Sequence, residues 1–230
     1  MENLRDALSI VGCVMKRKGK ENMYTFLLLL IYLAFISLGL PDSLLGSAWP
    51  VMHEAFQVPL SYAGMVTMII SGGTICSSLM SERLTKKFGT QIVTVFSVML
   101  TAIALFGFST ASAFWMLCLW AIPYGLGAGA IDAALNNYVA LHYNSRHMSW
   151  LHCFWGLGTI ISPYVMSYAL TTSVWQNGYR MVSFIQIGIT LILFVTLPIW
   201  KVNKKETAQE EKAEEKVEVH KKPGMKAAIF

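Results

Sequence analysis

Two acids lie deep inside apolar stretches of this 230-residue chain: Asp42 in LGLPDSLLGSAWP and Asp132 in GAIDAALNNY. An ionisable side chain in hydrocarbon costs about 2.5–3.5 kcal/mol on insertion scales, so one that is kept is used, or is sheltered between helices. A sheltered carboxyl can take a proton from one side and release it to the other, or accept the hydroxyl of a polar solute. Asn136 follows Asp132 by four residues and shares its helix face, with Asn137 beside that face. An amide offers both a donor and an acceptor to a sugar-like ring, and also serves as glue between helices. Pro41 precedes Asp42, and Gly39 lies just before it. A proline removes a backbone donor and frees a carbonyl at bilayer depth. Beside a carboxylate, such a carbonyl suits cation or hydroxyl binding, or it only shapes packing. Tyr124, Tyr138 and Trp155 are candidates to stack on a solute ring or to pack in the core, and His152 is the histidine that could titrate near neutral pH. No HxxxH, acid–His cluster or CxxC spacing points to a metal or cofactor, and no nucleophile–base pair points to an enzyme.

The elements that must position these residues are long and apolar. The chain is 55% hydrophobic and only 13% charged, against about 25% charged in a soluble domain. Six stretches long enough to cross a bilayer fall at about 24–52, 59–81, 89–110, 113–142, 147–171 and 178–200. Backbone groups in lipid must be satisfied within the segment, so these read as helices; ten-residue alternating barrel strands are absent. The net charge of +5 does not indicate nucleic acid, because no basic face is interleaved with stacking aromatics. Cys13, Cys76, Cys118 and Cys153 read as small apolar residues, not as a disulfide framework. No cleavable signal peptide is visible, so the first apolar run reads as a retained span.

Basic residues set the orientation. Arg5, Lys16, Arg17, Lys18, Lys20, Arg83, Lys86, Lys87, Arg146 and every basic residue after 200 fall on one side of an even-numbered bundle, and Arg180 alone on the other. The basic side is cytoplasmic, which places both ends of the chain there. Trp49, Trp115 and Trp175 read as an outer aromatic belt. Residues 1–23 form a cytoplasmic tail and 24–200 the bundle. Residues 201–222 form a lysine–glutamate linker with too few apolar residues for a core. Residues 223–230 turn apolar again and read as the start of a seventh helix, with the chain as one half of a longer protein. The third and sixth spans carry no charge and few strong polar groups, and suit lipid-facing positions. Gly125 and Gly129 in the fourth span, Gly158 and Ser162 in the fifth, and Gly73, Ser77 and Ser81 in the second repeat the small-xxx-small spacing of closely packed helices. The echo of LGLPD in AGAID suggests two three-helix repeats of inverted topology.

Together these residues resemble the N-terminal six-helix half of the major facilitator superfamily, over about 24–230. Gly39, Asp42 and Pro50 resemble its first-helix pattern. SERLTKKFGTQIV resembles its loop between helices 2 and 3: Arg83, Lys87 and Gly89 match the general form, Glu82 stands in for an acid, and Lys86 and Ser81 occupy positions commonly held by an acid and a glycine. WLHCFWGLGTIISPYV resembles a fifth-helix segment of the fucose-permease, sugar-transporting branch, with Ser162 replacing a glycine before Pro163. The resemblance implies an all-α membrane protein built as a 3+3 inverted repeat. Spans 1 and 4 would line a central cavity, 2 and 5 would face a second half, and 3 and 6 would face lipid. It implies secondary active transport in the cell membrane, as proton-coupled uptake of a sugar or similar small polar solute. The alternatives are efflux by proton antiport or a non-transporting bundle. The implied partners are the lipid bilayer, the solute, a proton and the missing half.

Overall fold

The computed structural model describes residues 24–198. The tail over 1–23, the charged linker over 201–222 and the expected seventh-helix start over 223–230 lie outside the described residues. Within them are six helices long and apolar enough to span a membrane: α1 (Tyr24–Ala55), α2 (Leu60–Phe88), α3 (Thr90–Thr110), α4 (Phe114–His142), α5 (Ser145–Thr172) and α6 (Trp175–Val195). α2 opens with a 3-10 turn at Leu60–Tyr62. It runs seven residues past its expected end at 81, because Glu82 and Lys86 form an i,i+4 pair at 2.6 Å and nothing in SERLTKKF breaks a helix. Gly89, at φ 88°, makes the joint to α3, a conformation open to glycine and strained for other residues.

Lipid tails are as apolar as leucine, so the aqueous hydrophobic effect does not drive helices together inside a bilayer; close packing and hydrogen bonds do. α2 lies along α4 on such a contact. A Cβ at Gly125 would collide with the Ile70 carbonyl, one at Gly129 with the Thr74 carbonyl and Ser77 Oγ, and Gly73 meets the Gly125 backbone. With the backbones this close, hydroxyls of α2 reach carbonyls of α4: Thr74 Oγ1 donates to Gly125 O (3.3 Å), Ser78 Oγ to Gly129 O (3.1 Å) and Ser81 Oγ to Ala130 O (3.3 Å). α5 crosses α1 in the same manner. Gly158 presses on the Ile36 carbonyl, and Gly39 on the Trp155 carbonyl. α3 packs on α4 and on α6, and α6 reaches α1 through Gln186 Nε2, which donates to Ser37 O at 2.7 Å. Exchanging α1–α3 with α4–α6 maps this set of contacts onto itself, as paired three-helix repeats require.

Pro41 explains the Gln186 bond. It has no N–H, so the carbonyl of Ser37, four residues back, loses its helical donor, and α1 breaks at Ser43 one turn on. The sequence alone leaves that carbonyl open to a solute hydroxyl, a cation or a purely packing role. In the fold the buried Gln186 amide takes it, while Gln186 Oε1 accepts from Thr101 Oγ1 of α3 at 3.1 Å. α3 and α6 therefore carry a polar inward face as well as an apolar outward one. α3 has the most buried span, 61%, against 11% for α2 and 22% for α5. Its small polar residues Thr94, Ser97 and Thr101 turn inward, while Ile92, Phe96, Ile103 and Phe106 turn out. Trp49 and Trp175 also differ from a belt. Both are buried in the core at one end of the bundle, with Trp49 Nε1 donating to Leu60 O at 2.7 Å, and only Trp115 is exposed.

Substitutions at the two kinds of contact test this packing. Gly125→Leu forces α2 off α4 and should destabilise the bundle by about 1–3 kcal/mol, seen as a lower midpoint of thermal unfolding in detergent. Gly72→Ala, where a Cβ meets open space, should leave that midpoint unchanged or slightly raised. Gln186→Leu orphans the Ser37 carbonyl and should cost about 1–3 kcal/mol. In a Pro41→Ala background, where residue 41 regains an N–H for that carbonyl, the cost should shrink, which a double-mutant cycle reads directly.

Candidate functional site

The break in α1 leaves Asp42 as the last residue before the turn at Ser43. Its carboxyl meets two fixed donors. Tyr124 Oη on α4 donates to Oδ1 at 3.1 Å, and Trp155 Nε1 on α5 donates to Oδ2 at 2.8 Å. Tyr124 is buried, its ring held edge-on by Phe108. Trp155 is carried by the turn of α5 whose carbonyl presses on Gly39, so the same close crossing that joins α5 to α1 brings the indole to the acid. Asp132 lies two turns further along α4 from Tyr124 and accepts from Asn136 Nδ2 at 2.9 Å, the i,i+4 geometry expected from the spacing. Asn136 Oδ1 is buried with no hydrogen-bond partner.

These groups surround one cavity of about 300 Å³, at the low end of the range for small-molecule sites. α1 contributes Phe35, Leu38 and Asp42; α2 contributes Ile70 and Thr74; α4 contributes Tyr124, Ala128 and Asp132; α5 contributes His152 and Trp155. α3 and α6 contribute nothing. The cavity lies between two apolar clusters. One centres on Trp49, Phe108, Trp175 and Tyr179 towards the α1–α2 turn, the other on Ile31, Phe35, Ile131 and Leu151 towards the start of α1. The wall thus offers acids, a phenol, an indole and an imidazole in an otherwise apolar surround, a set able to grip a small polar molecule. Thr74 and the apolar lining residues were not singled out in the sequence. Thr74 is one of many hydroxyls on these helices, and nothing in its spacing separates it from those used only for packing.

The fold brings together Asp42, Asp132, Tyr124, His152 and Trp155, with Asn136 attached through Asp132. Two other candidates fall elsewhere. Asn137 is exposed, about 100° round the helix from Asn136. Tyr138 stacks on His142 (4.3 Å between ring centroids) in an aromatic cluster at the far end of α4. There Tyr32 Oη and His147 Nδ1 are 2.8 Å apart, and Tyr143 Oη donates to Tyr24 O at 3.2 Å, tying the α4–α5 turn to the start of α1. Burial pushes the Tyr143 phenol well above its ordinary range, so it keeps the proton it donates. In the α2–α3 turn, Glu82 pairs with Lys86, Lys87 stands 5.3 Å from the Phe88 ring centroid, and Arg83 is exposed. Gly125, Gly129 and Gly158 are packing contacts, as described above, and Ser162 is fully buried with its hydroxyl unpartnered.

A helical bundle of membrane-crossing length, with an acid-lined cavity between four of its helices, is a polytopic membrane protein built around an internal site. The family model of the Major Facilitator Superfamily, a family of membrane transporters, matches residues 10–229, and the chain belongs to that superfamily. Among curated proteins it is similar to Bypass of stop codon protein 6 of Saccharomyces cerevisiae, 24% identical over 163 residues, covering 70% of this chain and 33% of that protein. It is also similar to the Glucose/mannose transporter GlcP of Bacillus subtilis, 22% identical over 182 residues, covering 77% of this chain and 44% of that protein. The chain therefore spans less than half the length of the curated relatives it matches.

Tyr124→Phe removes the donor to Asp42 Oδ1 and keeps the ring. It should cost about 1 kcal/mol of stability, measured by thermal unfolding. Trp155→Phe, which removes the other donor at a more open position, should cost less.

Proposed function

We propose that the chain forms the first half of a secondary active transporter that takes up a sugar or similar small polar solute together with protons, by alternating access. The reading rests on one observation: two acids from different helices, far apart in sequence, line a single cavity with an indole, a phenol and an imidazole. Asp42, held by two donors, is suited to orient solute hydroxyls through its remaining lone pairs. Asp132, with one donor and His152 on the same cavity wall, is suited to exchange a proton. Trp155, partly open to the cavity, offers a flat face to a sugar ring. The similarity to a glucose/mannose transporter supports the solute class.

The cavity is lined by α1, α2, α4 and α5 of this one bundle. α2 and α5, the least buried helices, carry large apolar side chains such as Met68, Leu79, Ile160 and Tyr164 outward. A second six-helix bundle closing over α2 and α5 would complete the chamber, and rocking of the two bundles would open it to each side in turn. The proposed location is the cell membrane, and the excess of Lys and Arg at the ends and in the even-numbered turns supports a cytoplasmic position for both ends of this chain.

In sealed vesicles containing the complete transporter, addition of a transported hexose should drive proton entry. Asp132→Asn should abolish that proton signal while leaving hexose binding measurable. Asp42→Asn should weaken hexose binding itself. Proton-coupled uptake that survives both substitutions would overturn the assignment.

A further inference from the structure

A second cavity lies outside the site. α2 and α3 meet at Gly89 and then pack against α4 far more than against each other, leaving a slot between them with α4 as its floor. It holds about 520 Å³, and its walls are apolar, formed among others by Met80, Leu84 and Phe88 of α2, Phe96 and Leu100 of α3, and Leu126 of α4. Ser77, at one end, turns its hydroxyl to its own helix, donating to Thr74 O at 3.1 Å. Phe96 and Met80 are among the more exposed apolar side chains, so the slot opens sideways, onto the surface a bilayer would cover.

Length and charge indicate an occupant. The lining runs from Phe88 to Ser77 on α2 and from Ile92 to Leu100 on α3. At 1.5 Å per residue that is about 12–17 Å, close to one leaflet of a hydrocarbon core about 30 Å thick. The slot ends at the α2–α3 turn, where Lys87 Nζ stands 5.3 Å from the centroid of Phe88, a lining ring. Arg83 is one turn back on the same side of α2. Glu82 is paired with Lys86, and among the described residues neither Arg83 nor Lys87 has a carboxylate in salt-bridge range. An apolar slot one leaflet long, with two cations outside any ion pair among the described residues at its interfacial end, matches a single amphiphile. We infer that this slot binds an anionic phospholipid, one acyl chain lying between α2 and α3 and the phosphate held by Lys87 and Arg83.

The test uses the full chain in bilayer nanodiscs containing phosphatidylglycerol or phosphatidylcholine, each with a diazirine on one acyl chain. Photolysis followed by peptide mapping should place the label on the slot residues between 77 and 100, with phosphatidylglycerol labelling well above phosphatidylcholine. Each basic residue near the surface is worth about a fivefold change in lipid affinity, so Lys87→Gln should lower phosphatidylglycerol labelling about fivefold and add to Arg83→Gln. Leu100→Trp, which fills the slot, should lower labelling by both lipids there while leaving labelling of the outward faces of α5 and α6 unchanged, an internal check that the bundle is folded. Label spread evenly over all outward apolar faces would overturn the proposal, as would equal labelling by the two lipids or labelling indifferent to Lys87 and Arg83. It would also be overturned if the slot is labelled in this chain and not in the complete transporter, since a protein segment would then be the occupant.

Discussion

Hydrocarbon offers no hydrogen-bond partner, so the backbone polar groups carried into it must find theirs inside the protein. Most of the packing described here answers that demand in one way: small residues bring two backbones together, and a hydroxyl or amide from one helix then reaches a carbonyl of the next. Thr74, Ser78 and Ser81 do this from α2 to α4. Ser183 does it from α6 to the Ala102 carbonyl of α3 at 2.8 Å, and Gln186 from α6 to α1. Each bond contributes little alone in a membrane, on the order of 0.6 kcal/mol. Their effect is on register, because a helix that slid by one turn would break several of them together.

The site depends on the same contacts. Asp42 is where it is because Pro41 interrupts α1, and α1 tolerates the interruption because Gln186 takes the carbonyl that Pro41 strands. Trp155 meets Asp42 because Gly39 and Gly158 let α5 lie against α1. Tyr124 belongs to the cluster around Phe108 and Tyr179, so the donor to Oδ1 is anchored in the core while the donor to Oδ2 stands at the cavity edge. The two acids therefore differ in what surrounds them. Asp42 has a rigid and a freer donor from two other helices, and Asp132 has one donor from its own helix, Asn136, whose amide oxygen lies buried and unpaired.

Much of this was legible in the residues. Six apolar runs gave six helices, because only helices and closed barrels cross a bilayer with the backbone satisfied, and alternating barrel strands are absent from the sequence. Small-xxx-small spacing marked the close-packing faces of α2, α4 and α5, though not which helices they meet, since few other pressures place small residues four apart on one face. The i,i+4 step from Asp132 to Asn136 gave a hydrogen bond. The failures share a cause: a linear pattern tells which residues share a face, and not which way that face turns. Gln186 sits in a span with few polar neighbours, a pattern that suits a lipid-facing helix, yet it is buried against Pro41's missing bond. Asn137 and Tyr138 are adjacent in sequence to the Asp132 face and still point away from it. Trp49 and Trp175 fall near span ends in the sequence, but their rings turn into the protein. The extension of α2 through Phe88 was readable from Glu82 and Lys86, whose spacing is that of a helical ion pair.

The glycines at the two crossings carry a further implication for how this bundle can vary. At positions 39, 125, 129 and 158 the first atom of any side chain would meet the main chain of the facing helix, and main chain cannot be trimmed by a compensating exchange elsewhere. A bulky core residue can be traded for a smaller one if its neighbour grows. These four sites have no such trade, because glycine has no smaller substitute and the opposing surface is common to all amino acids. Substitution is thus confined to the outward faces and the cavity wall, where it can change what the cavity presents while the angles between the helices stay as they are.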